Sequence, residues 1–160
     1  MLSFLLISFF ILILDQWTKC VAGGFLALGQ SFPVINGVFH FTLAHNKGAA
    51  FSILKGSSFL FIAITIFCLA AIIFLLSDQR FFKKVFGLDN SDRLIRFSLA
   101  LVFGGACGNL IDRIRFSYVV DFLDFRVWPV FNLADSAITV GGILIAYRML
   151  TVQKQLKIKD

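Results

Sequence analysis

Three aspartates stand among valines and phenylalanines in VVDFLDFRVWPVFNLADSA, residues 119–137 of a 160-residue chain. A carboxylate in apolar surroundings resists ionisation, and two held close together cannot both ionise, so such a pair shares a proton. One member can draw a proton from water while the other donates to an attacked carbonyl. That is metal-free peptide hydrolysis by general acid–base catalysis. Asp135 has Phe131 and Leu133 before it and Ala137 and Ile138 after it. An ionisable side chain at membrane depth costs roughly 2.5–3.5 kcal/mol on insertion, so Asp135 is a functional candidate. If VVDFLDF is extended, Asp121 faces the apolar wall of Val119 and Val120, and Asp124 points the other way as a solvated loop carboxylate.

Other polar side chains gather near the same places. Asp15 and Lys19 are four apart, acid first, the favoured order for a helical pair, which serves structure as readily as function. In GGACGNLIDR, Gly104 and Gly108 form a small-xxx-small face that admits a neighbouring helix. Packing explains those glycines but not Asn109, Asp112 and Arg113 within about a turn of them. Asn132 and Asp135 repeat the three-residue spacing, and an asparagine there also suits helix capping. His40 and His45 have no Cys or Glu at metal spacing, and no nucleophile elbow, phosphate loop or H-E-x-x-H occurs, so neither metal nor cofactor is expected. Cys20, Cys68 and Cys107 read as free apolar thiols.

The elements that carry these groups follow from composition. The chain is 59% hydrophobic and only 15% charged, where a soluble domain is about a quarter charged. Its mean hydropathy is +0.90. The expectation is one integral membrane domain over residues 1–160, all-α, with four spans at about 2–25, 57–76, 94–111 and 131–150. The first segment has no basic stretch before it and carries Asp15 and Lys19 where a secretory leader's apolar core would end, so it reads as a span. The net charge of +6 lies in short runs between spans, the pattern of orienting charges and not of a nucleic-acid surface. Nine Lys and Arg fall on the side of residues 77–96 and the C-terminus and six on the other, which favours both termini inside. In the outer loop Asn36-Gly37 marks a tight turn, and the alternation of Phe39, Phe41 and Leu43 marks a strand after it, so a small sheet rests on the outer surface. The basic, aromatic stretch SDQRFFKKVFGLDNSDR belongs in the headgroup region, and the tail from Gln153 frays.

Five stretches, DQWTK (15–19), NKGAAF (46–51), GGACGNLIDR (104–113), VVDF (119–122) and FNLADS (131–136), closely resemble in order and interval the boxes of the lipoprotein signal peptidase family, also called signal peptidase II. The resemblance covers nearly the whole chain. It implies a multi-pass aspartyl endopeptidase of the bacterial inner membrane, active near the outer face. Its substrates would be prolipoproteins, cut just before a Cys already modified with diacylglycerol, and its other partner membrane lipid, with the chain a monomer. The resemblance maps the catalytic pair onto Asp121 and Asp135, and supporting positions onto Asp15, Lys19, Asn46, Gly48, Gly108, Asn109, Asp112, Arg113 and Asn132. With Asp135 at a helix N-terminus, whose partial charge favours ionisation, Asp135 is the expected base and Asp121 the acid. Two other readings stand beside it. A small proton-coupled transporter would also use intramembrane carboxylates, but these gather at one membrane face. A lipid-binding scaffold would explain the apolar faces but not the acid pair.

Overall fold

The computed structural model describes residues 1–48, 58–89 and 92–157. Residues 49–51 of NKGAAF and residue 57, the expected start of the second span, lie outside them. The elements in order are α1 (Leu2–Phe25), β1 (Ser31–Ile35), β2 (Phe39–Asn46), α2 (Ser58–Ser77), α3 (Gln79–Phe86), α4 (Arg93–Phe116), β3 (Val119–Asp124) and α5 (Leu133–Lys157). Four of these, α1, α2, α4 and α5, are long and apolar enough to cross a membrane. Together with the sheet they meet the expected fold class.

Helix α4 is the axis of the bundle, packed against α1, α2 and α5. Half of its apolar window is buried, against 11% for α2, so α2 turns most of its surface to lipid. The close approach on two sides of α4 depends on glycine. A Cβ on Gly104 would meet the Ser8 carbonyl of α1 at 2.5 Å, and one on Gly105 would meet the Ala134 carbonyl of α5 at 2.5 Å. From the α5 side, a Cβ on Gly141 would meet the Ser98 carbonyl of α4 at 2.7 Å. Ser8 Oγ donates to the Ala100 carbonyl at 3.1 Å, a polar clasp between helices whose surroundings offer no water.

The sheet is antiparallel in the order β1-β2-β3. Asn36 and Gly37 form the expected turn, with Gly37 at φ +73°, and Ser31 pairs Thr42 across it. Pro33 sits on the edge strand, where its missing N–H is harmless. The third strand places Ala44 opposite Asp121 and Asn46 opposite Val119. Phe131 then pairs Leu123 through backbone bonds of 3.0 and 2.8 Å, so the chain returns to the sheet immediately before α5 begins.

Several boundaries differ from the sequence expectation. The third span extends to Phe116 instead of stopping at 111, so Asp112 and Arg113 ride on the helix itself. The fourth helix starts at Leu133, because Phe131 is held by the sheet and Asn132 serves as the cap. The basic loop contains α3, which is capped by Asp78 and ended by Gly87 at φ +68°. It buries Phe82 and Phe86 in the core that Phe4, Ile72, Ile95 and Leu99 form at that end of the bundle. The fourth helix continues into the tail as far as Lys157, and residues 158–160 lie outside the described residues.

The glycine contacts give a direct test. Gly105→Ala should destabilise the protein by about 1–3 kcal/mol, because backbone cannot move aside as a side chain can. Gly142→Ala, which meets nothing within 4 Å, should be neutral. Melting temperatures of the two purified variants check this, and equal values would remove the close-approach argument.

Candidate active site

The polar side chains converge where α1, α4, β3 and the start of α5 meet. Lys19, one turn beyond Asp15 on α1, is 5% exposed, and its Nζ lies 2.8 Å from Asp15 Oδ2 and 2.9 Å from Asp112 Oδ2. Its third donor goes to Asn109 Oδ1 at 2.9 Å. Gly108 has no side chain because the Asp15 carboxylate occupies the place a Cβ would take. Asp15 Oδ1 accepts from the Ala134 N–H at 2.9 Å, and so ties α1 to the first turn of α5. Asp112 Oδ2 accepts from the Val120 N–H at 3.1 Å and fixes the start of β3.

Two carboxylates hang from this frame through amides. Asn109, its oxygen turned to Lys19, must present its NH2 on the other side, where it donates to Asp135 Oδ1 at 2.8 Å. Asn132 donates to Asn109 Oδ1 at 3.0 Å and to Asp121 Oδ1 at 2.7 Å. The other oxygen of Asp121 accepts from Asn46 Nδ2 at 3.0 Å, across the β2–β3 pair. Asn132 also caps α5: its Oδ1 accepts from the Asp135 N–H at 2.8 Å, while Asp135 Oδ2 accepts from the Asn132 N–H at 3.4 Å. The capping reading of this spacing and the site reading are therefore the same geometry, a reciprocal box that also aims Asp135.

Asp121 is 1% exposed. Burial, and then the neighbouring charge of Asp135, push its carboxyl up to about 7, although the amides of Asn46 and Asn132 and the charge of Lys19 work in the opposite direction. Arg113 feels the charges of Asp135, Asp121 and Asp112 and places its guanidinium 5.1 Å above the Phe61 ring of α2. Gly48, buried, donates its N–H to Asn46 Oδ1 at 3.0 Å and so orients that side chain. From Asp135 a cavity of about 490 Å³ runs along α5 between Phe125, Trp128, Phe131, Ser136, Thr139 and Val140. No group of three metal-binding side chains occurs among the described residues.

The structure thus brings together every site residue that the sequence singled out. Asp124 corrects the expectation made for it. It is 5% exposed, accepts from Thr42 Oγ1 at 2.7 Å and pairs Arg126 at 3.2 Å, because β2 covers the face that a lone strand would leave in water. Gln16, which the sequence does not single out, also joins the site: its Nε2 donates to Asp112 Oδ1 at 2.9 Å and to the Gly108 carbonyl at 3.2 Å. It lies inside DQWTK, but an uncharged amide carries no signal of its own in an apolar helix.

Known proteins resemble this chain over nearly its whole length. Residues 7–151 match the family model described as signal peptidase (SPase) II. The chain is 46% identical over 150 residues to the lipoprotein signal peptidase of Moorella thermoacetica, covering 93% of each chain. It is 45% identical to that of Halothermothrix orenii, over 94% of each. Among solved structures, a bacterial membrane enzyme determined by the in meso method superposes with a TM-score of 0.82 at 34% identity, covering 99% of this chain and 92% of that one.

Titration of Asp121 has a predictable effect on stability. The folded protein holds this proton up to about pH 7, whereas the unfolded chain releases it near the ordinary 3.8. Between those values the folded state binds more protons. The stability from Asp121 is therefore complete below about pH 3.8 and is lost as pH rises through about 7. Asp121→Asn, which has no proton to lose, should melt above wild type at pH 8 and converge with it towards pH 4. A melting difference that does not change with pH would contradict the shift.

Proposed function

The chain belongs to the signal peptidase II family, and from that premise we propose that Asp121 and Asp135 are its catalytic pair. The protein is a bacterial membrane peptidase that removes signal peptides from prolipoproteins. The family assignment gives no support to a transporter. What carries the proposal is the amide chain Asn109–Asn132, which holds one carboxylate at each end while Asp121 is buried enough to keep its proton near neutral pH.

In this reading water attacks the scissile carbonyl carbon. Asp135, at the helix N-terminus, takes the water's proton, and Asp121 gives its own to the carbonyl oxygen. The tetrahedral diol collapses when Asp135 returns a proton to the leaving amide nitrogen and Asp121 takes one back from a hydroxyl. Asn46, its free lone pairs and donors beside Asp121, would hold the substrate backbone, and Arg113 would balance the charge that develops. The remaining groups, Asp15, Lys19, Gly108, Asn109, Asp112 and Asn132, hold the pair in place, with Gly48 behind Asn46.

The aromatic cavity along α5 supports a lipidated substrate. Thr139 and Val140 at its far end are exposed, so a chain entering from the bilayer would reach Asp135 without crossing water. A diacylglyceryl cysteine placed there would set the peptide bond before it over the pair. The Lys and Arg distribution supports a reading with both termini in the cytoplasm and the carboxylates near the outer face. Termini and carboxylates lie at opposite ends of the bundle, since Arg148 of α5 bonds Asp92 at 2.8 Å far from the site.

The test is cleavage of lipidated and unlipidated prolipoprotein by purified variants, each checked by thermal melting. Asp121→Asn and Asp135→Asn should each lose at least about 10²-fold in kcat/KM and remain folded. Asp112→Asn should lose less. Asp124→Asn should lower the melting temperature with little effect on turnover, and chelators should leave wild-type activity intact. An active Asp121→Asn or Asp135→Asn beside a dead Asp112→Asn would show that the wrong carboxylates have been paired.

A further inference from the structure

At the end of the bundle opposite the carboxylates lies a second cavity of about 480 Å³, lined by Ser3, Phe4 and Ile7 of α1 and by Arg93, Arg96 and Phe97 of α4. Its charge is all of one sign. The described acids at this end are engaged elsewhere: Asp78 caps α3, Asp89 pairs Lys83, and Asp92 caps α4 and binds Arg148. Neither Arg93 nor Arg96 meets a carboxylate among the described residues. Arg96 Nε is buried and has no hydrogen-bond partner among the described residues. A buried N–H donor left without an acceptor is rare and unfavourable. Two arginines in the first turn of a helix also oppose its dipole, which favours anions there.

The walls answer a different requirement. Phe4 is fully packed, Ile7 is half-buried and Phe97 is 41% exposed, so the cavity continues from the guanidiniums onto the lipid-facing surface of α1 and α4. A cationic head above an apolar channel suits an amphiphile with an anionic end. A guanidinium presents paired donors that match phosphate oxygens, and Arg96 Nε is one of those donors. Among the described residues no carboxylate lines the cavity to receive a cationic headgroup such as choline.

The geometry points to a binding site for the phosphate of one anionic phospholipid, held by Arg93 and Arg96, with an acyl chain along Phe4, Ile7 and Phe97. The lipid belongs to the leaflet at the α3 end. There it would fasten α1 to α4 on the side away from the chemistry, so this site does not depend on which carboxylates are catalytic.

The test uses the whole protein in a neutral maltoside detergent and native mass spectrometry with dioleoyl phosphatidylglycerol, dioleoyl phosphatidylcholine or inorganic phosphate. Wild type should retain one phosphatidylglycerol per chain, at least about tenfold more tightly than phosphatidylcholine. Arg96→Gln and Arg93→Gln should each weaken that retention by about tenfold, while Lys84→Gln on the exposed face of α3 changes it less than about twofold. All three should cleave lipidated substrate at the wild-type rate in detergent. Should Arg96→Gln not fold, Arg93→Gln carries the test, because its side chain is exposed. Equal retention by the arginine variants overturns the site. Equal loss in Lys84→Gln would show diffuse attraction to basic charge, and equal binding of inorganic phosphate would show an anion site without a lipid; either result overturns it as well.

Discussion

One ammonium group organises the functional end of this protein. Lys19 Nζ touches two carboxylates and one amide oxygen, and it is almost wholly withdrawn from solvent. Buried charges survive only when each is met by opposite charge and hydrogen bonds, and removing one partner of such a set typically costs about 3–5 kcal/mol. Asp15 and Asp112 belong to different helices, so the pairing that satisfies Lys19 also fixes the separation and rotation of α1 against α4. The same contact settles the direction of an amide. Because Asn109 must give its oxygen to the ammonium, its nitrogen faces Asp135.

From that point the polar network spreads by obligation. Asp15 reaches the free N–H of Ala134 at the start of α5, and Asp112 reaches the N–H of Val120 at the start of β3. A helix begins with unpaired donors and a strand begins with an unpaired edge, and each is met by a carboxylate of the Lys19 cluster. The two segments that bear Asp135 and Asp121 are thus anchored to one charge. Glycine makes it geometrically possible: without the bare backbone at 104, 105 and 108, α1 and α5 could not come within reach of α4.

The surroundings explain why this polarity is concentrated in one layer. Hydrocarbon has no hydrogen bonds to offer, so every donor and acceptor at membrane depth needs a partner within the protein. The apolar faces of α1, α2 and α5 supply none, and the polar groups collect where the sheet caps the bundle. Burial there raises the Asp121 carboxyl to about 7, a value at which a carboxylic acid can donate a proton in neutral surroundings.

The sequence by itself determined the parts that depend on neighbours along the chain. Apolar run lengths defined the four long helices, Asn36-Gly37 the hairpin, and the small-xxx-small spacing the side on which α1 approaches α4. Five short boxes, through their resemblance to the signal peptidase II family, marked the candidate site residues. Tertiary structure alone decided the rest, because it depends on what lies across a gap in sequence. Asp124 read as a solvated acid until β2 supplied Thr42 against it, and Gln16 had no meaning until α4 came alongside. The start of α5 moved to Leu133 because Phe131 pairs with a strand eight residues earlier. That Asp121 and Asp135 lie at the two ends of one amide chain follows from the Lys19 cluster. Spacing along the chain cannot express it, since the charges that draw those segments together come from helices about ninety residues apart.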